Sequence, residues 1–112
     1  MIEGFNGSGA LDILNEFQVP DAATVAEGIE ILHAVYTYEC YEGSAWVVFG
    51  DKATGRLYEV YGGHCSCNGL EDQWDPQETS YEAIGMRPAE SYMYPNTEAA
   101  LEAIKASQYG NE

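Results

Sequence analysis

IEILHAVYTYECYEGSAWVVFGDKATGRLYEVYG, residues 29–62, is the stretch whose reading decides the fold. Residues 29–40 are rich in β-branched and aromatic side chains and contain no breaker, so they read as a strand. Strict alternation puts Leu32, Ala34, Tyr36, Tyr38 and Cys40 on one face. Ile31, His33, Val35, Thr37 and Glu39 fall on the other, which is more polar toward the strand's end and so is expected to meet water there. YEGS turns the chain into a second strand, AWVVFG. DKATG is a polar connection with Gly55 available for positive φ, and RLYEVYG returns as a third strand. The expectation is an α+β domain built on a three-stranded antiparallel β-meander over about 29–62, with two to three helices packed on one side of it.

The helices come from the flanks. Ser8 can cap GALDILNEFQV, where Leu11, Leu14 and Phe17 share a face, and Pro20 bounds it. DAATVAEG is either a helical turn capped by Asp21 or a loop. QETSYEAIGMR suggests a short helix from near Thr79, with Glu82 placed as in a capping box. NTEAALEAIKASQYG is the clearest helix, with Asn96 or Thr97 as cap, an Ala100–Leu101–Ile104 face and Gly110 as the stop. PAESYMYPN, between them, is loop or extended edge. At 112 residues the chain reads as one domain, 1–112.

Charge is the outlying property. Nineteen acids face four bases, for a net charge of −15, and residues 1–51 hold nine acids and no Lys or Arg. Such a surface repels phosphate, which argues against direct nucleic-acid binding and against anionic membranes. No apolar run approaches the ~20 residues needed to span a bilayer. MIEGFNGSGALD has neither a basic leader nor an apolar core, so a cytoplasmic protein is expected. Solubility alone asks for a net charge of magnitude about 2–8 in a small domain, so the excess calls for a second explanation.

YGGHCSCNGLEDQWDP, residues 61–76, concentrates the chemistry-bearing residues. Cys40, His64, Cys65 and Cys67 are the soft ligands a zinc ion could use, with Cys40 brought near by the strand pairing. Adjacent His64 and Cys65 tend to point apart, and there is no second Cys-x2-Cys pair. A cysteine nucleophile needs a lowered thiol pKa, which Glu71, Asp72 and Asp75 oppose. No carboxylate pair stands out as catalytic among so many acids, and no enzymatic activity is expected. The stretch reads best as a loop shaped by glycines, with small cysteines packed inside and Trp74 as its anchor.

The pattern YTYECYEGSAWVVF, followed by RLYEVYGGHCSCNGLEDQWDPQETS, resembles a family of small uncharacterised tailed-bacteriophage proteins. The likeness spans roughly residues 31–84 and centres on HCSC-x-GLE-x-QW-x-P. Asn68 stands where that family usually has an aromatic residue, and Asp72 where it often has Gly. The resemblance implies a phage gene product acting on host machinery in the bacterial cytoplasm, and carries over no catalytic residue.

Two functions of different class follow. The first is an acidic binding protein that mimics nucleic acid and inhibits a host nucleic-acid-binding system, such as a CRISPR effector, a restriction enzyme or a nuclease. Duplex DNA carries one charge per ~1.7 Å of axis, and alternate residues of a strand lie ~6.7 Å apart on one face. Its partner is a basic host protein or nucleoprotein complex, and it acts as a monomer or a homodimer without a cofactor. The candidate contact residues are Glu71, Asp72, Asp75, Glu78 and Glu82, an acid run with no base between Arg56 and Arg87, together with Glu39 and Glu42. Glu27 and Glu30 accompany that second group, and Tyr92 and Tyr94 could anchor an interface. The second function is a small zinc module in which Cys40, His64, Cys65 and Cys67 hold the metal and present the following loop to a partner.

Overall fold

The computed structural model describes residues 2–5, 9–39, 42–64, 70, 73–86, 97–107 and 109, with backbone alone at 38, 39, 42 and 64. In chain order the elements are β1 (Ile2–Glu3), α1 (Ala10–Glu16), α2 (Ala22–Glu27), β2 (Ile29–Glu39), β3 (Glu42–Asp51), β4 (Leu57–His64), β5 (Gln77–Glu78), α3 (Tyr81–Gly85) and α4 (Thr97–Ala106). The class is α+β. The sheet is larger than the three strands expected: five strands stand in the order β1-β2-β3-β4-β5. β1 joins parallel to β2, and the remaining pairs are antiparallel, so the sheet is mixed. Both additions are two-residue edge strands, too short to show a period in sequence.

Helices cover both faces, which corrects the expectation of a single covered side. On one face α1 and α2 contribute Ile13, Leu14, Ala22 and Val25 to a core with Ala34, Ala45, Val47, Phe49 and Val60. On the other, Ile84 of α3 and Ala100 and Ile104 of α4 pack with Leu32, Trp46, Val48, Leu57 and Tyr109. The physical reason is visible in β3. Ala45, Trp46, Val47, Val48 and Phe49 are consecutive and all buried. A strand apolar at every position needs cover above and below.

The alternation expected of β2 breaks at one point. Ile31 stands opposite Phe49 and His33 opposite Val48, so Leu32 is an extra residue in the ladder. This bulge lets consecutive residues face the same way. Leu32 joins the second core, while Ile31 and Ala34 pack in the first. His33, expected on a face that meets water, is instead wholly buried, with its ring edge-on to Trp46 at 5.2 Å between centroids.

Local chemistry explains the turns and caps. Between β3 and β4, Asp51 Oδ1 accepts from Ala53 N (2.8 Å) and Asp51 O from Gly55 N (2.7 Å). Gly55 sits at φ +74°, where a Cβ would be strained. In α1 Gly9 is the cap, and Asp12 Oδ2 accepts from Gly9 N at 3.1 Å. The buried face of this helix is Ile13, Leu14 and Phe17, whereas Leu11 is exposed. DAATVAEG resolves as α2; Asp21 precedes it in left-handed backbone and makes no side-chain cap. The cap of α3 is Ser80, whose hydroxyl accepts from Ala83 N at 3.1 Å, one residue beyond the Thr79 expected. α4 buries Ala100 and Ile104, with Glu98 in its first turn and Lys105 in its last, both matched to the helix dipole. No helix among the described residues is long and apolar enough to cross a membrane.

Candidate functional site

Residues 73–79 form a strap tethered along β4. Leu70 is buried in the first core, and its carbonyl accepts from Gln73 N at 3.2 Å. Gln73 Oε1 accepts from Gly63 N at 2.7 Å, tying the strap to the far end of β4. Trp74 stacks on Phe49 (5.5 Å, 14° between planes) and meets Phe17 edge-on at 5.2 Å. Gln77 and Glu78 then pair with Glu59 and Tyr58, and Thr79 N donates to Leu57 O at 2.9 Å. Each tether faces inward.

What the strap presents outward is acidic. Asp75, Glu78 and Glu82 are all exposed. Arg56 Nη1 approaches Glu78 Oε2 at 3.5 Å, with both side chains more than half exposed. An exposed pair of this kind holds its members weakly and is easily exchanged for another partner. Glu82 has a second, local reason for its place, because an acid in the first turn of α3 suits the helix end. Tyr81 and Met86 are exposed beside these acids. Glu71 and Asp72 lie outside the described residues.

The second group of acids does not assemble with the first. Glu39 and Glu42 are register partners at the end of the β2–β3 ladder. Gly43, next to Glu42, stands opposite His64, whereas Glu78 stands opposite Tyr58, six residues down β4. At about 3.4 Å per residue the two places are about 20 Å apart along the strand. Glu30 is the second residue of β2 and Glu39 its last, so these two are about 30 Å apart. By their register partners Gly50 and Tyr58, Glu30 and Glu78 lie toward the end of the sheet that carries the β3–β4 turn, three strands apart. The acids are therefore spread around the sheet, with one ordered concentration on the β5–α3 edge.

Of the zinc candidates, His64 ends β4, while Cys40, Cys65 and Cys67 lie outside the described residues. Among the described residues no group of three or more His, Cys, Asp or Glu is placed to hold a metal. Tyr92 and Tyr94 also lie outside them.

A polar group that sequence reasoning missed sits in the second core. Trp46 Nε1 donates to Glu59 Oε1 at 3.0 Å, and Glu59 is only 8% exposed. His33, Val48 and Glu59 form one cross-strand row, with Trp46 against the His33 ring. The signal was present: in RLYEVYG, Glu59 shares alternation with Leu57, which places an acid on an apolar side. A buried indole N–H also requires an acceptor.

No protein-family model, no curated protein and no solved structure matches the chain.

Proposed function

We propose that this chain is a phage-encoded acidic binding protein that occupies the basic groove of a host nucleic-acid-binding protein or nucleoprotein complex in the bacterial cytoplasm. It acts without catalysis, as a mimic of the nucleic-acid backbone. The observation that carries this reading is the β5–α3 edge, where a strap fixed by Gln73, Trp74 and β5 holds Asp75, Glu78 and Glu82 in solvent. Ordered carboxylates lose little conformational entropy when they meet cations, unlike acids on a loose tail. A net charge of −15 also steers association toward a basic partner from a distance. Glu71 and Asp72 extend the same run in sequence, and Glu39 and Glu42 form a separate, secondary contact.

The test is competition. Purified protein is titrated into complexes of labelled duplex DNA with CRISPR effectors, restriction enzymes and nucleases over a salt series. Displacement of DNA that weakens steeply with salt is the expected result. Asp75→Asn, Glu78→Gln and Glu82→Gln combined should weaken displacement at least tenfold while leaving the melting temperature within a few degrees. Salt-insensitive displacement, or equal potency of the triple variant, would sink the reading, as would failure to displace DNA from any of them.

A further inference from the structure

Two titratable side chains lie in the second core and touch one indole. His33 is wholly buried and Glu59 is 8% exposed. Trp46 Nε1 donates to Glu59 Oε1 at 3.0 Å, and the Trp46 ring meets that of His33 at 5.2 Å between centroids. His33, Val48 and Glu59 are successive partners across β2, β3 and β4. Partners opposed across a ladder share a face, so the imidazole and the carboxyl stand on the same face, their backbones about 10 Å apart over two strand spacings. The other charged groups described on the surrounding elements are remote from this pair or reach solvent. Glu30 of β2, Glu78 of β5, Glu82 of α3, and Glu98, Glu102 and Lys105 of α4 are exposed. Glu39 and Glu42 stand six residues along β2 and β3 from His33 and Val48, about 20 Å away. Lys52 and Arg56 are exposed as well. Tyr61 and Tyr109 bring only phenols, which carry no positive charge.

In an apolar interior a carboxylate beside a neutral imidazole is costly, and so is an imidazolium beside a neutral carboxyl. One proton on the pair leaves it neutral overall, as carboxylate with imidazolium or as carboxylic acid with imidazole. We propose that His33 and Glu59 form a single-proton site across Trp46, filled at neutral pH, which locks the second core and loosens it when the proton leaves under mildly alkaline conditions. The acidic surface acts in the same direction, because a net charge of −15 favours one more bound proton. α3 and α4 pack on this core, so the device acts on the helix that carries Glu82. It stands whether or not the acidic edge binds a partner. In the unfolded chain Glu titrates at about pH 4.3 and His at about 6.5. Above about pH 7 that chain holds almost no proton on these two groups while the folded chain holds one, so stability falls as pH rises, by up to tenfold in the unfolding constant per pH unit. Below about pH 4 the unfolded chain holds two protons against one, and stability falls there too.

The experiment is urea unfolding of the full chain from about pH 6.5 to about pH 8, a window in which surface carboxyls stay ionised and ordinary thiols stay largely protonated. About 1 M sodium chloride cuts the screening length to about 3 Å and so suppresses the surface field. Across the window the unfolding constant is expected to rise at least about 5-fold in the parent and less than about 2-fold in Glu59→Gln, where a neutral amide no longer holds a proton on His33. His64→Gln, which removes the other histidine, should keep the parent's rise. A flat parent profile, an equal rise in Glu59→Gln, or loss of the rise in His64→Gln would each overturn the proposal. Should Glu59→Gln not fold, calorimetric unfolding of the parent at about pH 7.5 in two buffers of different ionisation heat decides. Release of close to one proton is the expected result, and release of none would overturn it.

Discussion

Trp46 and Glu59 meet in the interior, the indole nitrogen donating to a carboxylate oxygen at 3.0 Å across adjacent strands. Trp46 is fully buried, and it is the largest side chain in the core. A net hydrogen bond contributes about 0.5–1.5 kcal/mol, and a buried donor left without its acceptor costs about 1–3 kcal/mol. Glu59→Leu, which leaves the N–H of Trp46 without this acceptor, is expected to destabilise by about 2 kcal/mol. Glu59→Gln keeps an acceptor oxygen and should cost less than half as much. Urea unfolding followed by Trp fluorescence measures both, and equal losses for the two variants would show that the bond is not the source.

Gly50 tests the second core from the backbone side. The ring of Tyr109 occupies the place of its missing side chain. Gly50→Ala must push that ring away, an overpacking strain of about 1–3 kcal/mol. Combining it with Tyr109→Leu should recover part of the loss from the Gly50 change, because the flat ring no longer covers the site. Unchanged thermal stability of the single variant would contradict the packing described.

Salt should stabilise this protein. A net charge of −15 on a small domain repels itself, and the screening length falls from ~30 Å at 0.01 M to ~8 Å at 0.15 M. The melting temperature is expected to rise by several degrees over that range of sodium chloride. A flat profile would mean that the acids are neutralised by features beyond the described ion pair of Arg56 and Glu78.

Glu39 and Glu42 are register partners at the end of the β2–β3 ladder. Like charges at opposed strand positions destabilise, and pairs of this class are worth about 0.2–1 kcal/mol. Glu42→Thr is therefore expected to raise stability by a few tenths of a kcal/mol, resolved as a small upward shift of the urea midpoint. A loss of stability would indicate that the pair is held together by something the register does not explain.

Much of this arrangement is legible in the chain because it rests on local causes. The turn at Asp51–Arg56 follows from one aspartate and one glycine, and α4 from a run of good helix formers between 97 and 106. Trp74 as the anchor of the acidic strap also follows from sequence, since a large aromatic beside a glycine-rich loop seeks a core. The exposure of Asp75, Glu78 and Glu82 needed no tertiary knowledge, because acids so seldom enter an interior unpaired.

Other features depend on contacts between distant segments. The bulge at Leu32 is invisible locally, because the residues around it would alternate equally well without it. It arises where β2 must feed two cores at once. Burial of His33 and Glu59 follows from the same cause, since α3 and α4 cover a face that β2 alone presents as half polar. β1 and β5 exist only because longer strands offer them a ladder. Sequence by itself determined the class, the central strands, the turn chemistry and the acidic surface, each set within a few residues by sterics, capping and solvation. Which faces are covered, that Glu59 goes inside, and how far apart the surface acids stand were decided by tertiary packing, where one residue's environment is built from side chains dozens of positions away.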